Sequence, residues 1–388
     1  MRSQMGRLAW VAAALVSVCG SAASAAQQGK IWDAVDRGDL ARVRALSRSN
    51  PKILITPHGM WRETILGRAA WRGHAKIVRY CVRSARPTKT DLTLARGRAA
   101  RGGHTTVCRL LLDSGALLNP RARCLDRMGN PPLGTAIEQG HTPVVTLFLS
   151  RGADPDACVI GPMTPLALAA QRANKDCVKL LLAKDADVNL EYKEGDTALY
   201  QAMAGVVVHR YDPRSSTRRA SPREAATREE IALLLLKHDA DPTPPGHMLA
   251  AARLGYKRLA KKFLEMDCDV NERSKWKLTP LHFAAACRDA DMCKLLLDNA
   301  ADVNALDHYR RTPLFSVLMG HSGPVTMDSV QEVYKLVKLL IDRGADVRRK
   351  STDHKTPLSW ARSTLVLRKD SGDRQKLVNK ILALLGGK

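Results

Sequence analysis

The chain has 388 residues, 62 Lys and Arg against 38 Asp and Glu, and a formal net charge of +24. That length would accommodate two or three ordinary domains, and the basic excess favours acidic partners: an acidic protein face, an anionic polymer or a membrane surface. The nine cysteines show no paired CxxC spacing and no accompanying histidines, so no zinc-binding pattern is present.

In chain order, Arg2 and Arg7 precede an apolar run, Leu8 to Val18, and Ala23-Ser24-Ala25 offers a small-residue cleavage site. Residues 1–25 are therefore expected to be a secretory signal peptide, which makes the protein exported, either periplasmic or secreted. Anchoring in the membrane through this segment is the alternative, but the run is short for a bilayer and turns small and polar from Gly20.

From Lys30 onward the sequence repeats itself. Its clearest copy opens with Thr279-Pro280-Leu281-His282, continues through an apolar run from Met292 to Leu297, and closes with Ala301-Asp302-Val303-Asn304. The opening position recurs at Gly29, Thr64, Leu94, Pro131, Thr164, Thr197, Gly246, Thr279, Thr312 and Thr356, with steps of 33 residues in two series. Thr-Pro can start a helix, since proline is tolerated in a first turn. Ala284-Ala285-Ala286 permits close packing, and Lys294-Leu295-Leu296-Leu297 gives a second helix a buried stripe. No such unit buries its apolar face alone, so neighbours must stack.

A 33-residue period with this wording resembles the ankyrin repeat. The resemblance implies an all-α fold: a solenoid of about ten helix-turn-helix units over residues 30–388, linked by hairpin-like finger loops. It also assigns His282 to bracing neighbouring turns, a structural role. Arg37, Asp39, Arg42 and Arg44 in the first unit, and Arg374, Lys376 and Lys380 in the last, suit capping repeats. The unit at Leu94 has lost its opening motif but keeps Gly97-Arg98-Ala99-Ala100 as an echo of Gly67-Arg68-Ala69-Ala70. Two units run long, with insertions expected between their helices near 206–230 and 319–330. The first carries Arg210, Arg214, Arg218, Arg219, Arg223 and Arg228, a basic loop that would clasp an acidic partner or remain a tolerated excursion.

In ankyrin-like proteins the partner meets the finger tips and the exposed positions of the first helices. Carried onto this chain, the residues before each opening motif are Trp61, Lys275, Trp276, Leu278, His308, Tyr309 and Arg311. Those after the Ala pairs include Trp71, Arg72, Arg101, Arg172 and Arg253. Trp, Tyr and Arg are the residue types enriched at interface hot spots, although mixed aromatic and basic character also suits nucleic acid.

Enzymatic motifs are missing: no GxGxxG, P-loop, HExxH or nucleophile elbow occurs. No catalytic, cofactor-binding or metal-binding residue is assigned, and no small-molecule substrate or cofactor is expected. Asp154, Asp187, Asp241, Asp269, Asp302 and Asp346 recur because the turn recurs, and His74, His104 and His141 share one helix-start position after a glycine. Cys81, Cys108, Cys177, Cys287 and Cys293 fall where small buried residues belong. A Cys124–Cys158 bridge would need a loop to bend, because equivalent positions in adjacent layers lie too far apart. The sequence thus describes a non-enzymatic scaffold that binds a protein through the concave face and finger loops of its repeat array, for which an acidic partner is one candidate. A polyanion-binding protein is the alternative, with nucleic acid, acidic polysaccharide or an anionic membrane surface as ligand. An accessory or inhibitor of an exported enzyme is another.

Overall fold

The computed structural model describes residues 29–58, 63–119, 131–157, 163–191, 196–204, 221–244, 246–319, 327–365 and 372–386. The signal segment, Trp61, Cys124, Cys158 and the arginines from Arg210 to Arg219 lie outside them. Among the described residues no β-strand forms, and β pairing is limited to isolated bridges such as His58 with Glu63.

Helices come in short antiparallel-type pairs, as the repeat demands. Residues 29–36 (α1) precede Leu40–Ser47 (α2), and Ile65–Arg72 (α3) precedes Ala75–Ala85 (α4). Lys89–Arg101 (α5) with Thr105–Asp113 (α6), and Pro132–Glu138 (α7) with Thr142–Ser150 (α8), continue the series. Pro165–Gln171 (α9) and Lys175–Leu182 (α10) follow. Then come Ala198–Ala204 (α11) with Pro222–Lys237 (α12), and His247–Leu254 (α13) with Lys257–Glu265 (α14). The last three pairs are Pro280–Ala286 (α15) with Ala290–Asp298 (α16), Pro313–Met319 (α17) with Met327–Asp342 (α18), and Pro357–Leu365 (α19) with Gly372–Leu384 (α20). Two compact units result: Met1–Ala169 with Asp176–Asp187, and Ala170–Lys175 with Val188–Lys388.

Local chemistry explains several of the first-helix starts that keep a threonine. Thr64 Oγ1 accepts the Gly67 N–H at 2.9 Å, and Thr164 and Thr197 repeat that bond to Ala167 and Tyr200. At α15 the cap is a reciprocal box in which His282 Nδ1 accepts the Thr279 N–H. Leu94 departs from the expectation. Thr88 and Asp91 form a full capping box, so α5 begins at Lys89 and Leu94 sits inside the helix, 41% exposed. An adjacent Thr-x-x-Asp outcompeted the degenerate repeat position, as a reciprocal cap satisfies two orphan N–H groups.

Second helices bury one stripe each: Ile77, Val78 and Cys81 on α4, and Met292, Cys293 and Leu296 on α16. Each such side chain contributes roughly 1.5–3 kcal/mol when fully buried. Their starts carry the repeated histidine. His104 Nε2 donates to the Trp71 carbonyl at 2.8 Å and His141 Nε2 to that of Arg101 at 3.0 Å. The ring lies flat on the preceding turn, where Gly73 has φ +80; a Cβ there would sit 2.5 Å from His104 Nδ1. Gly73 is therefore required twice, by its left-handed backbone and by the imidazole.

The Ala-Asp elements close each pair. Asp269, Asp302 and Asp346 each accept the N–H two residues on, from Asn271, Asn304 and Arg348. The asparagines then tie one layer to the next with both ends of the amide. Asn304 Oδ1 accepts the Asp346 N–H at 2.8 Å and Nδ2 donates to the Gly344 carbonyl at 2.9 Å. Asn271 and Asn189 make the same double link.

Candidate functional site

In the second unit, three successive connections fold into one hairpin turn. Ser274 N–H donates to the Leu278 carbonyl at 2.9 Å, Asp307 N–H to that of Arg311 at 3.0 Å, and Ser351 N–H to that of Lys355 at 3.0 Å. The fourth residue of each turn is left-handed: Lys277 at φ 57, Arg310 at 57 and His354 at 56. Side chains lock the turns from inside. Asp307 Oδ1 accepts both the Tyr309 and the Arg311 N–H at 2.8 Å, and Ser274 Oγ accepts the Leu278 N–H at 3.1 Å. Adjacent turns are then joined by main-chain bonds, His308 N–H to the Trp276 carbonyl at 2.9 Å and Thr352 N–H to the Tyr309 carbonyl at 3.0 Å. The result is a preorganised strip of tips.

Trp276 and Tyr309 occupy the same position in adjacent turns and are 37% and 36% exposed. His308 stands between them, with ring centroids 5.8 Å from Trp276 and 5.5 Å from Tyr309, both edge-to-face. The Arg311 guanidinium lies 4.6 Å from the Tyr309 centroid and 5.7 Å from that of Trp360, while Lys355 Nζ sits 4.9 Å from Trp360. Asp353, the only exposed carboxylate in the three turns, is held below the usual carboxylate range by its own backbone N–H and by Ser351, with Arg311 and Lys355 adding to it.

The strip therefore collects Lys275, Trp276, His308, Tyr309 and Arg311 from the sequence-derived set. Leu278 is half-buried at its base. Arg253 ends α13 and Arg172 follows α9; they belong to first-helix ends and not to the tips. The sequence reading passed over Lys277, Arg310, Lys355 and Trp360. Two of these, Lys277 and Arg310, share a turn position adjacent to residues already singled out, which is a periodic signal.

A second exposed group lies in the first unit. Trp71, 38% exposed, has the Arg68 and Arg72 guanidinium carbons 5.1 and 4.8 Å from its ring. Asp36 holds both arginines, at 2.7 Å from Arg68 Nε and 3.1 Å from Arg72 Nε. Its carboxyl is lowered, first by the Arg68 bond, against an opposing burial effect. Glu63 links Arg68 to Arg98, with 2.7 Å to the latter. Arg101 is exposed at the end of α5. Trp71 is thus a fixed plate with two cations over its ring, whose own charge is partly met by Asp36.

The basic insertion changes character where it is described. Residues 222–230, expected in a loop, form the first turns of α12. Ser221 caps that helix by accepting the Glu224 N–H. Arg228 is buried, with a side chain 6% exposed. It donates to Glu224 Oε1 at 3.0 Å, to the Gln171 carbonyl at 3.0 Å and to the Ala202 carbonyl at 3.4 Å. Glu229 accepts the Arg258 and Leu259 N–H groups and so caps α14, and Lys175 pairs with Glu230 at 2.6 Å. Arg228 is an anchor, not a clasping residue. The α13 start, whose threonine is replaced by Gly246, is capped from a distance by Glu272 through the Gly246 and Leu249 N–H groups. Burial raises the Glu272 carboxyl while those bonds pull it back.

Among the described residues no group of three or more His, Cys, Asp or Glu could hold a metal ion. Cys81, Cys108, Cys177 and Cys293 are buried and Cys287 half-buried, all as reduced thiols. Burial pushes Cys81 and Cys108 up to about 12, so neither is a thiolate nucleophile at neutral pH. His282 Nε2 donates to the Arg311 carbonyl at 3.1 Å, which ties α15 to the next turn.

Stacked helix pairs, a ladder of hairpin tips and layer-to-layer asparagine links define a helical repeat protein. A family model for ankyrin repeats in three copies matches residues 66–158 and 247–327, and a second for ankyrin repeats in many copies matches 135–182. The chain belongs to the ankyrin-repeat family. Its relatives include the human transient receptor potential cation channel subfamily A member 1, 28% identical over 61% of this chain and 23% of the channel. The neurogenic locus notch homolog protein 1 of Xenopus tropicalis is 29% identical over 39% of this chain and 5% of its own length. The E3 ubiquitin-protein ligase XB3 of Oryza sativa subsp. japonica is 40% identical over 24% of this chain and 20% of its own. The match spans less than a quarter of each of these proteins. What they share with the chain is the repeat, and ankyrin repeats are in general scaffolds for protein–protein interaction.

Proposed function

We propose that the chain is a non-enzymatic scaffold that captures a partner protein through the hairpin strip of its second unit. One observation carries this: Trp276 and Tyr309 are large aromatics left exposed on a backbone that is hydrogen-bonded within each turn and between turns. Rigid aromatic anchors bind at low entropic cost, and such residues dominate interface energetics. Trp71 with Arg68 and Arg72 against its ring supplies a second contact area on the first unit, with Arg101 beside the same run of first helices. The partner is retrieved by affinity capture from the native host with the full chain as bait. Trp276→Ala with Tyr309→Ala is expected to weaken capture by roughly tenfold or more, since each hot spot is worth more than about 1 kcal/mol. Undiminished capture by the double variant would sink the reading. Stoichiometric recovery of an enzyme would make the chain its accessory or inhibitor.

The net charge of +24 favours a second reading, a polyanion ligand. The two separate in a salt titration: a log–log slope that keeps growing with the length of the ligand indicates counterion release from a polyanion, and a slope no steeper than the few cations of the strip can supply indicates the protein interface.

The same proposal places the mature chain outside the cytoplasm. Arg2, Arg7, the apolar run to Val18 and Ala23-Ser24-Ala25 support it. Mature protein starting at Ala26 is the expected result of N-terminal sequencing, and an intact Met1 overturns export.

A further inference from the structure

We infer that the partner engages the second unit with an extended acidic segment laid along the three hairpin tips. This rests on the strip being the partner surface, and it names the chemistry that the strip selects. The three turns, 274–278, 307–311 and 351–355, hold five Lys or Arg and only two carboxylates. Of those two, Asp307 is buried and its oxygen already accepts two turn N–H groups. Asp353 alone faces solvent as a counter-charge, so the strip is strongly cationic where it meets water.

The placement of those cations adds a second argument. Lys277 and Arg310 sit at φ 57, in the left-handed region where glycine is free and other side chains are disfavoured by about 1–2 kcal/mol. Neither is shown making an ion pair, and both are exposed. A basic side chain at this conformation in two adjacent tips gives the fold nothing that glycine would not. It does set a row of positive charge beside Trp276 and Tyr309.

The occupant's shape follows from the spacing. Adjacent tips belong to adjacent helix layers, roughly 9–10 Å apart, so three tips span roughly 20 Å between the outer ones. An extended chain rises about 3.3 Å per residue with alternate side chains on one face. About six to eight residues with an acid at every second position would bring carboxylates to successive tips and apolar groups to the rings. Stacked nucleobases fit less well. Each exposed ring already has a neighbour against it, His308 at Trp276 and both His308 and Arg311 at Tyr309, whereas base stacking needs an open ring face.

The test uses the full chain and a fluorescein-labelled peptide of about eight alternating Glu and Leu residues, with a Lys-Leu peptide and an oligo(dT) of similar length as comparators. Saturable binding of the Glu-Leu peptide alone, weakened about fivefold or more by Lys277→Gly with Arg310→Gly, supports the inference, because each exposed pair is worth up to about 1 kcal/mol. These variants keep the folded state, since glycine accepts φ 57 without strain, and an unchanged melting temperature verifies it. Tyr309→Ala is expected to weaken the peptide as well. Equal binding of the Lys-Leu peptide, tighter binding of oligo(dT), or indifference to the glycine pair overturns the inference. A host partner that is lost from Trp276→Ala with Tyr309→Ala yet not displaced by the Glu-Leu peptide also overturns it, while leaving the strip as the partner surface. Undiminished capture by that double variant removes both.

Discussion

Replacing Arg228 with Met is expected to destabilise the second unit by about 2–4 kcal/mol. Met keeps most of the side-chain volume, so the loss isolates the guanidinium. Its donors reach the Gln171 and Ala202 carbonyls and the Glu224 carboxylate from a side chain that is 6% exposed. Removing the donors leaves two carbonyls in a region closed to water, and each buried unsatisfied group costs about 1–3 kcal/mol. Glu224 is 46% exposed, so its stranded charge is met by water and adds little. For a body of about 150–250 residues each kcal/mol moves the melting temperature by about 2–4 °C, which makes the expected drop on the order of 5–15 °C by calorimetry. Arg228→Lys should fall between, because an ammonium keeps the charge but not the planar fork. Arg223→Met, at an exposed position five residues earlier, should change stability by no more than about 0.5 kcal/mol. A melting temperature for Arg228→Met within about 2 °C of wild type would show that α12 is held by its apolar stripe alone.

Arg228 also shows where sequence reading stops. The 33-residue period gave the helix pairs, and Thr-Pro-Leu-His gave the cap at Thr279, because these depend on neighbours within a few residues. The shared position of His74, His104 and His141 was legible for the same reason, whereas the bracing role of His282, which reaches Arg311 29 residues on, came from the resemblance to the ankyrin repeat. Long-range polar repairs were not legible. Arg228 meets the Gln171 carbonyl 57 residues away, Glu272 caps a helix that starts 26 residues earlier, and Glu229 caps one 29 residues later. In the sequence each looks like one more solvated charge in a basic or acidic run. Only the missing threonine at Gly246 hinted that some other group must satisfy the α13 start. The α5 start failed differently: Thr88 and Asp91 were plain in the sequence, but the repeat register pointed six residues past Thr88, to Leu94. For the candidate site, Trp276, His308 and Tyr309 were found from repeat register. The cations at Lys277 and Arg310 share that register but were passed over, because the left-handed conformation that marks their position is a property of the backbone.

Acidification should weaken the second unit before its carboxylates begin to protonate. His247 and His282 are both buried, and burial lowers each below the ordinary histidine value of 6.5. His247 donates through Nδ1 to the Pro244 carbonyl, packs edge-to-face on Tyr200 and Phe263, and has a buried Nε2 without a partner. A proton on that nitrogen would place a charge between two aromatic rings. In His282 the neutral form suits both neighbours, with Nδ1 accepting from Thr279 and Nε2 donating to Arg311; a proton on Nδ1 would break the capping box. Both groups bind a proton more readily in the unfolded chain, so stability rises with pH across their titration. Their contribution is complete above about pH 6.5 and is lost as pH falls toward the lowered folded-state values. Asp241 acts on His247, and Asp307 and Asp302 on His282, to moderate the effect, while Arg273 adds to it at His282. Glu272, raised by burial, works in the opposite sense, favouring the folded state at low pH. The histidine share is therefore read as a difference: melting temperatures of wild type, His247→Phe and His282→Gln followed from pH 7.5 down to pH 5. Wild type is expected to lose stability over that range and each variant to lose less, with the double variant flattest. His282→Ala should also cost about 2–4 kcal/mol at neutral pH, because it removes the cap, the link to Arg311 and a buried ring together. A double variant that falls as steeply as wild type from pH 7.5 to pH 5 would mean the two imidazoles titrate alike in the folded and unfolded chain.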